Sequence, residues 1–241
     1  MPLPFRSALT GAVALLTLLG SATPAAADNR NDPNWAGYAF EGTTGSFSRV
    51  LAEWVQPSGE CPEPDTRMYA ASWVGLDGYR GTTVEQTGTT ARCSEDGQIS
   101  YFAWYQMYPD PPVRYADPVQ PGDRLMAQVS YLPDEDEFEL DMWDWTRRWA
   151  ESTFQRVPEG HTALRRTAEV VVEDPKRAQN AWWPMTRFSR IDFRNCQVNG
   201  SPIGDLPDPL VLTMRRDQVN RARPTRLFDS GRAFQVNWEH S

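Results

Sequence analysis

Carboxylates and amides are the side chains with which this chain could do chemistry. Gln86 sits inside a run that reads Trp73-Val74-Gly75-Leu76-Asp77-Gly78 and then Gln86-Thr87-Gly88. Its amide carries two N–H donors and one acceptor, and it suits a developing oxyanion because it stabilises charge without itself titrating. Glu169 lies in Ala168-Glu169-Val170-Val171-Val172-Glu173. A carboxylate in such a place can take a proton from water and later return it to a leaving group. Competing systems lack their parts. Only His161 and His240 occur, neither beside a nucleophile motif, which leaves a Ser-His-Asp or Cys-His centre without a base. Cys61, Cys93 and Cys196 form no Cys-x-x-Cys, and the histidines do not cluster, so no metal site is expected.

The elements that must position these residues read as strands. Ile99, Tyr101, Ala103, Tyr105 and Met107 alternate with Ser100, Phe102, Trp104, Gln106 and Tyr108, so one face can enter a core while the other lines a groove. In the glutamate segment, Thr167, Glu169, Val171 and Glu173 share a face opposite Ala168, Val170 and Val172, and Glu169 is expected to project from a sheet surface. Similar short runs occupy 46–55, 68–76, 124–131, 137–145, 188–193, 210–214 and 233–238, separated by turns rich in Pro, Gly and Asp. Pro133-Asp134-Glu135-Asp136 reads as the turn of a hairpin. Short helices are expected at most over 218–221 or 146–154. Many short antiparallel strands predict an all-β fold of two packed sheets. A single core suffices for a chain of 241 residues of which 40% are apolar.

The quoted motifs, with Tyr101-Phe102-Ala103-Trp104-Tyr105-Gln106-Met107-Tyr108-Pro109 and Asn34-Trp35-Ala36-Gly37-Tyr38, resemble those of the glutamic peptidases, the eqolisins, in a secreted bacterial-type form. The resemblance covers most of residues 34–240. It implies a two-sheet antiparallel β-sandwich of the jelly-roll or concanavalin A-like lectin type, with a polypeptide substrate lying across a concave sheet. It also implies acid endopeptidase activity from a dyad without cofactors: Glu169 as general base and then acid, and Gln86 holding the water and the oxyanion. Asp77 is expected to support the Gln86 loop, with Trp73, Trp104, Tyr105 and Gln106 as substrate-binding or supporting residues. The chain departs from the pattern where Gln106 replaces a usual acid, Thr90 an aspartate and Val170 a tryptophan. Fewer neighbouring carboxylates would lower the pKa of Glu169 unless burial offsets this.

Residues 1–27 read as a secretory signal: Arg6, an apolar stretch from Ala8 to Leu19, and Ala25-Ala26-Ala27. The apolar stretch falls short of the roughly 20 residues a bilayer span needs. Residues 28–33 are expected as a short flexible lead-in, without a prosegment, to one domain over 34–241. Secretion permits one disulfide among the three cysteines, and spacing does not choose it. A net charge of -8 argues against nucleic acid and anionic membranes, and the released protein is expected to be a monomer free of membranes. Two other readings compete. One is a non-catalytic carbohydrate-binding sandwich using exposed tryptophans; the other is a glycoside hydrolase pairing Glu169 with Glu53, Glu173 or another carboxylate.

Overall fold

Alternating apolar residues on short, turn-bounded segments give an all-β molecule in the computed structural model, which describes residues 28–178 and 181–240. The expected signal peptide, residues 1–27, lies outside the described residues. One hydrogen-bonded path runs through the strands Trp149–Gln155, Glu137–Asp144, Arg124–Leu132, Arg49–Val55 and Arg190–Val198. It continues through Phe234–Trp238, Val219–Pro224, Leu210–Arg216, Trp35–Glu41, Thr167–Glu173, Met68–Leu76, Val84–Cys93, Ile99–Tyr108 and Val113–Pro118. The path becomes two layers at Arg190–Val198. The first half of that strand pairs with Phe234–Trp238 and the second with Arg49–Val55, across an irregularity between Arg194 and Gln197. An irregularity of this kind is how a strand turns the corner from one sheet to the other.

The core lies between the layers. Phe40, Val74, Leu76, Val170 and Val172 from one sheet meet Trp54, Leu125, Val129, Phe138 and Leu140 from the other. The hairpin over 133–136 forms with Phe138 opposite Tyr131, Leu140 opposite Val129 and Met142 opposite Ala127. Its apolar stripes therefore coincide. Cys61 and Cys93 form the disulfide, and Cys196 is a buried thiol.

Three expectations are corrected. The segments considered for short helices are turns that run into strands, at 145–148 before Trp149–Gln155 and at 217–218 before Val219–Pro224. Both find strand partners, and pairing outweighs a weak local preference. Asp28–Asp32 is no flexible lead-in; it pairs in parallel with Leu210–Arg216.

Candidate active site

Cross-strand register builds the site. Ala39, Glu169, Gly75, Gln86 and Gln106 are successive partners across five antiparallel strands, and residues directly opposite in such pairs share a face. Glu169 and Gln86 thus stand on one face two strands apart, about 9.6 Å between main chains at the usual spacing. Gly75 occupies the position between them. A Cβ there would come 2.8 Å from the Trp73 ring and 3.1 Å from Gln86 Cβ, so only glycine leaves the lane between acid and amide open.

The next row on this face is Val171, Trp73, Gly88, Trp104 and Arg114, followed by Trp35, Glu173, Ala71, Thr90 and Phe102. A second apolar cluster of Trp73, Trp104, Val171, Leu210 and Leu212 forms there, away from the main core. Over it lies a cleft of about 820 Å³, walled by Trp35, Tyr79, Gln86, Trp104 and Gln106 among others.

Glu169 is held by the loop that follows Met68–Leu76. The Tyr79 N–H donates to its Oε1 at 2.9 Å and the Gly78 N–H to its Oε2 at 3.4 Å. A Cβ on Gly78 would stand 2.6 Å from the Trp35 ring and 3.3 Å from the carboxylate, so the close approach of that peptide requires glycine. Glu169 is 0% exposed, and Gly78 and Tyr79 separate it from the cleft. The expectation of a carboxylate projecting from the sheet surface is corrected accordingly. Its pKa is corrected too. Burial, opposed by Thr167 and the two N–H donors and reinforced by Asp77, pushes it up to about 7. Desolvation outweighs the missing neighbouring acids.

Gln86 has a fixed amide. Its Nε2 donates to Gln106 Oε1 at 2.9 Å, and Gln106 Nε2 donates in turn to the Asp110 carbonyl at 2.7 Å. One N–H of Gln86 is left over, and its buried Oε1 has no protein partner. Gln106 therefore orients Gln86. Asp77 sits at φ 65°, and its carboxylate accepts the backbone N–H of Arg165 and, at 2.7 Å, of Arg166. It anchors the entry to the glutamate strand, not the Gln86 loop expected from the sequence.

The aromatic residues divide. Trp104 lines the cleft and donates from Nε1 to Thr90 Oγ1 at 2.8 Å. Trp73 is 0% exposed; it meets Trp35 edge-on and donates to Glu173 Oε2 at 2.8 Å. It supports the floor and is out of a ligand's reach. Tyr105 points the other way, packing on the main core and against Tyr115, because it is one residue out of phase with Trp104. Substrate contact by Tyr105 is ruled out in this arrangement.

The same geometry disfavours the competing readings. A sugar-stacking platform needs exposed tryptophan faces, whereas Trp73 is covered and Trp104 is only 5% exposed. A glycosidase needs two carboxyl groups roughly 5–9.5 Å apart, but an amide stands across from Glu169. Glu53 pairs with Arg194 and Met126 in the other sheet, where Asn195 donates to it. Glu173, four residues along the strand, takes N–H bonds from Asn34 and Trp73, and burial pushes it up to about 7.

Sequence reasoning missed the two loop N–H donors and Glu85. Glu85 points oppositely to Gln86, in a row with Ala168, Leu76 and Met107, and is 0% exposed. Burial, with Asp77 and Glu169 adding to it and Thr83 opposing, pushes it up to about 9. Strict alternation from Gln86 was the signal that could have found it.

A model described as the Peptidase A4 family matches residues 33–207. Aspergillopepsin-2 of Aspergillus niger is 27% identical over 205 residues, which cover 76% of this chain and 71% of that protein. Among solved structures, scytalido-glutamic peptidase with a transition state analog inhibitor superposes with a TM-score of 0.72 at 21% identity, covering 86% of this chain and 99% of its own. Aspergilloglutamic peptidase from Aspergillus niger gives 0.61 at 25% identity, covering 71% and 99%.

Proposed function

Because the chain belongs to the Peptidase A4 family, the glutamic peptidases or eqolisins, we propose that it is a secreted endopeptidase that cleaves polypeptides on the acid side of neutrality through Glu169 and Gln86. The observation that carries this reading is the single register row in which Glu169 and Gln86 flank the bare Gly75.

The loop at Gly78 and Tyr79 lifts from Glu169 and admits a water between acid and amide. Glu169, as carboxylate, takes a proton from that water while its oxygen attacks the scissile carbonyl. The free N–H of Gln86 bonds the oxygen on which negative charge develops, its amide already oriented by Gln106. Glu169 then gives the proton to the departing nitrogen as the C–N bond breaks, and the carboxylate is regenerated. No acyl-enzyme forms. Trp104 and Phe102 supply apolar wall for substrate side chains. Secretion is supported by the signal-like residues 1–27, with their Ala25-Ala26-Ala27 cleavage pattern.

The test is proteolysis of an unfolded protein by the purified chain beginning near Asp28. Glu169→Gln and Gln86→Ala are each expected to lower kcat at least about 10²-fold, the scale of one oxyanion donor. Both should fold like wild type by circular dichroism. Glu173→Gln should fall much less. An inactive Glu173→Gln beside an active Glu169→Gln would assign the base to the wrong glutamate.

A further inference from the structure

At the end of the Trp104 row the cleft reaches Arg114, which the proposed hydrolysis does not use, and Arg92 stands near it. Arg114, cross-strand from Trp104, lines the cleft with its guanidinium 3.6 Å from the centroid of the Phe102 ring. A guanidinium lying over a ring keeps its in-plane N–H groups free for two parallel bonds to a carboxylate. Arg92, cross-strand from Tyr69 and Ser100, stands one row beyond Phe102 on the same face. Its charge, after burial as the leading cause, lowers the pKa of Arg114, with Tyr69 opposing. Among the described residues, neither guanidinium forms an ion pair.

The other charged groups of the cleft strengthen the imbalance. Arg80 and Lys176 add cations, against Asp32 and Glu173, and burial raises the pKa of both acids. Below neutrality the cleft is thus a cationic channel in a protein whose net charge is -8 at pH 7.

We propose that Arg114, backed by Arg92, is a specificity-determining residue that receives an acidic side chain of the polypeptide substrate. The inference rests on the endopeptidase reading of the cleft. It also has a predicted place. From Gln86 to Arg114 is two strands across and two residues along, about 9.6 and 6.6 Å at ordinary sheet spacing. An extended substrate covers that separation in roughly three to four residues, so the acidic residue lies that far from the scissile bond, on one side only.

The experiment digests a defined peptide mixture carrying Glu, Gln or Lys at each position around a cleavable bond, with kcat and KM read by mass spectrometry at pH 3 and pH 5.5. At pH 5.5, Glu should be favoured over Gln at one position by about five- to tenfold, chiefly in KM, as expected for a contact made equally in ground and transition states. The preference should fade at pH 3, where a peptide glutamate of ordinary pKa about 4.3 is protonated. Arg114→Gln should abolish it, and Arg114→Glu should turn it toward Lys. A wild type that cleaves with no acidic preference, or an Arg114→Gln variant that keeps it, overturns the assignment. A wild type that cleaves no peptide sinks the endopeptidase reading and the subsite together.

Discussion

Glu85→Gln should remove one distinct part of this protein's sensitivity to rising pH, and the size of the effect follows from where the carboxyl lies. Glu85 is 0% exposed behind the candidate site, and its pKa rises from the ordinary 4.5 to about 9, mainly through burial. Above pH 4.5 the unfolded chain loses this proton while the folded chain keeps it. Each pH unit in that interval lowers the unfolding free energy by about 1.4 kcal/mol. By pH 7 the loss is about 3 kcal/mol, and it continues until pH passes the folded value. That is a large part of a typical stability of about 5–15 kcal/mol. Glutamine keeps the shape and cannot ionise. The stability of Glu85→Gln minus that of wild type should therefore grow by about 3 kcal/mol between pH 4 and pH 7. Glu169, Glu173 and Asp174, whose pKa values are also raised by burial, give the same sign of slope in both proteins and largely cancel in the subtraction. Urea unfolding followed by tryptophan fluorescence at the two pH values measures it. A difference that stays constant from pH 4 to pH 7 refutes the claim that Glu85 is held protonated in the fold.

Two further outcomes bear on the site. Gly75→Ala puts a Cβ 2.8 Å from the Trp73 ring and 3.1 Å from Gln86 Cβ; it should destabilise by about 1–3 kcal/mol, the usual cost of overpacking, and lower kcat by displacing Gln86. Urea midpoints and peptide turnover check this, and full activity would show that the lane between acid and amide is not needed. The acidic limb of kcat/KM should fit one ionisation with its midpoint well above 4.3 and toward 7, since the Glu169 carboxylate accumulates only as pH rises through its raised pKa. Gln86→Glu adds a like charge, and should push one member of the pair higher still and weaken catalysis; an unchanged profile in that variant would mean Gln86 does not face the base.

Local pattern was enough to determine much of this protein. Alternation on Ile99–Tyr108 and Thr167–Glu173 specified which side chains share a face, because successive residues of a strand point to opposite sides whatever surrounds them. The same rule excluded helices from most of the chain and made the hairpin at 133–136 legible from its two apolar stripes. Motif context pointed to Gln86 and Glu169 as a pair. What no linear pattern holds is the alignment of strands distant in sequence. Glu169 reaches Gln86 only through Gly75, a partner 94 positions earlier in the chain, and register across the sheet is a tertiary outcome. Burial was equally illegible, since it depends on what folds over a residue. The Asp77-Gly78-Tyr79 loop turned an expected surface carboxylate into a covered one with a pKa of about 7. The one-residue phase difference between Trp104 and Tyr105 was visible in the sequence, but only the packed second sheet decided which of the two faced the core and which the cleft.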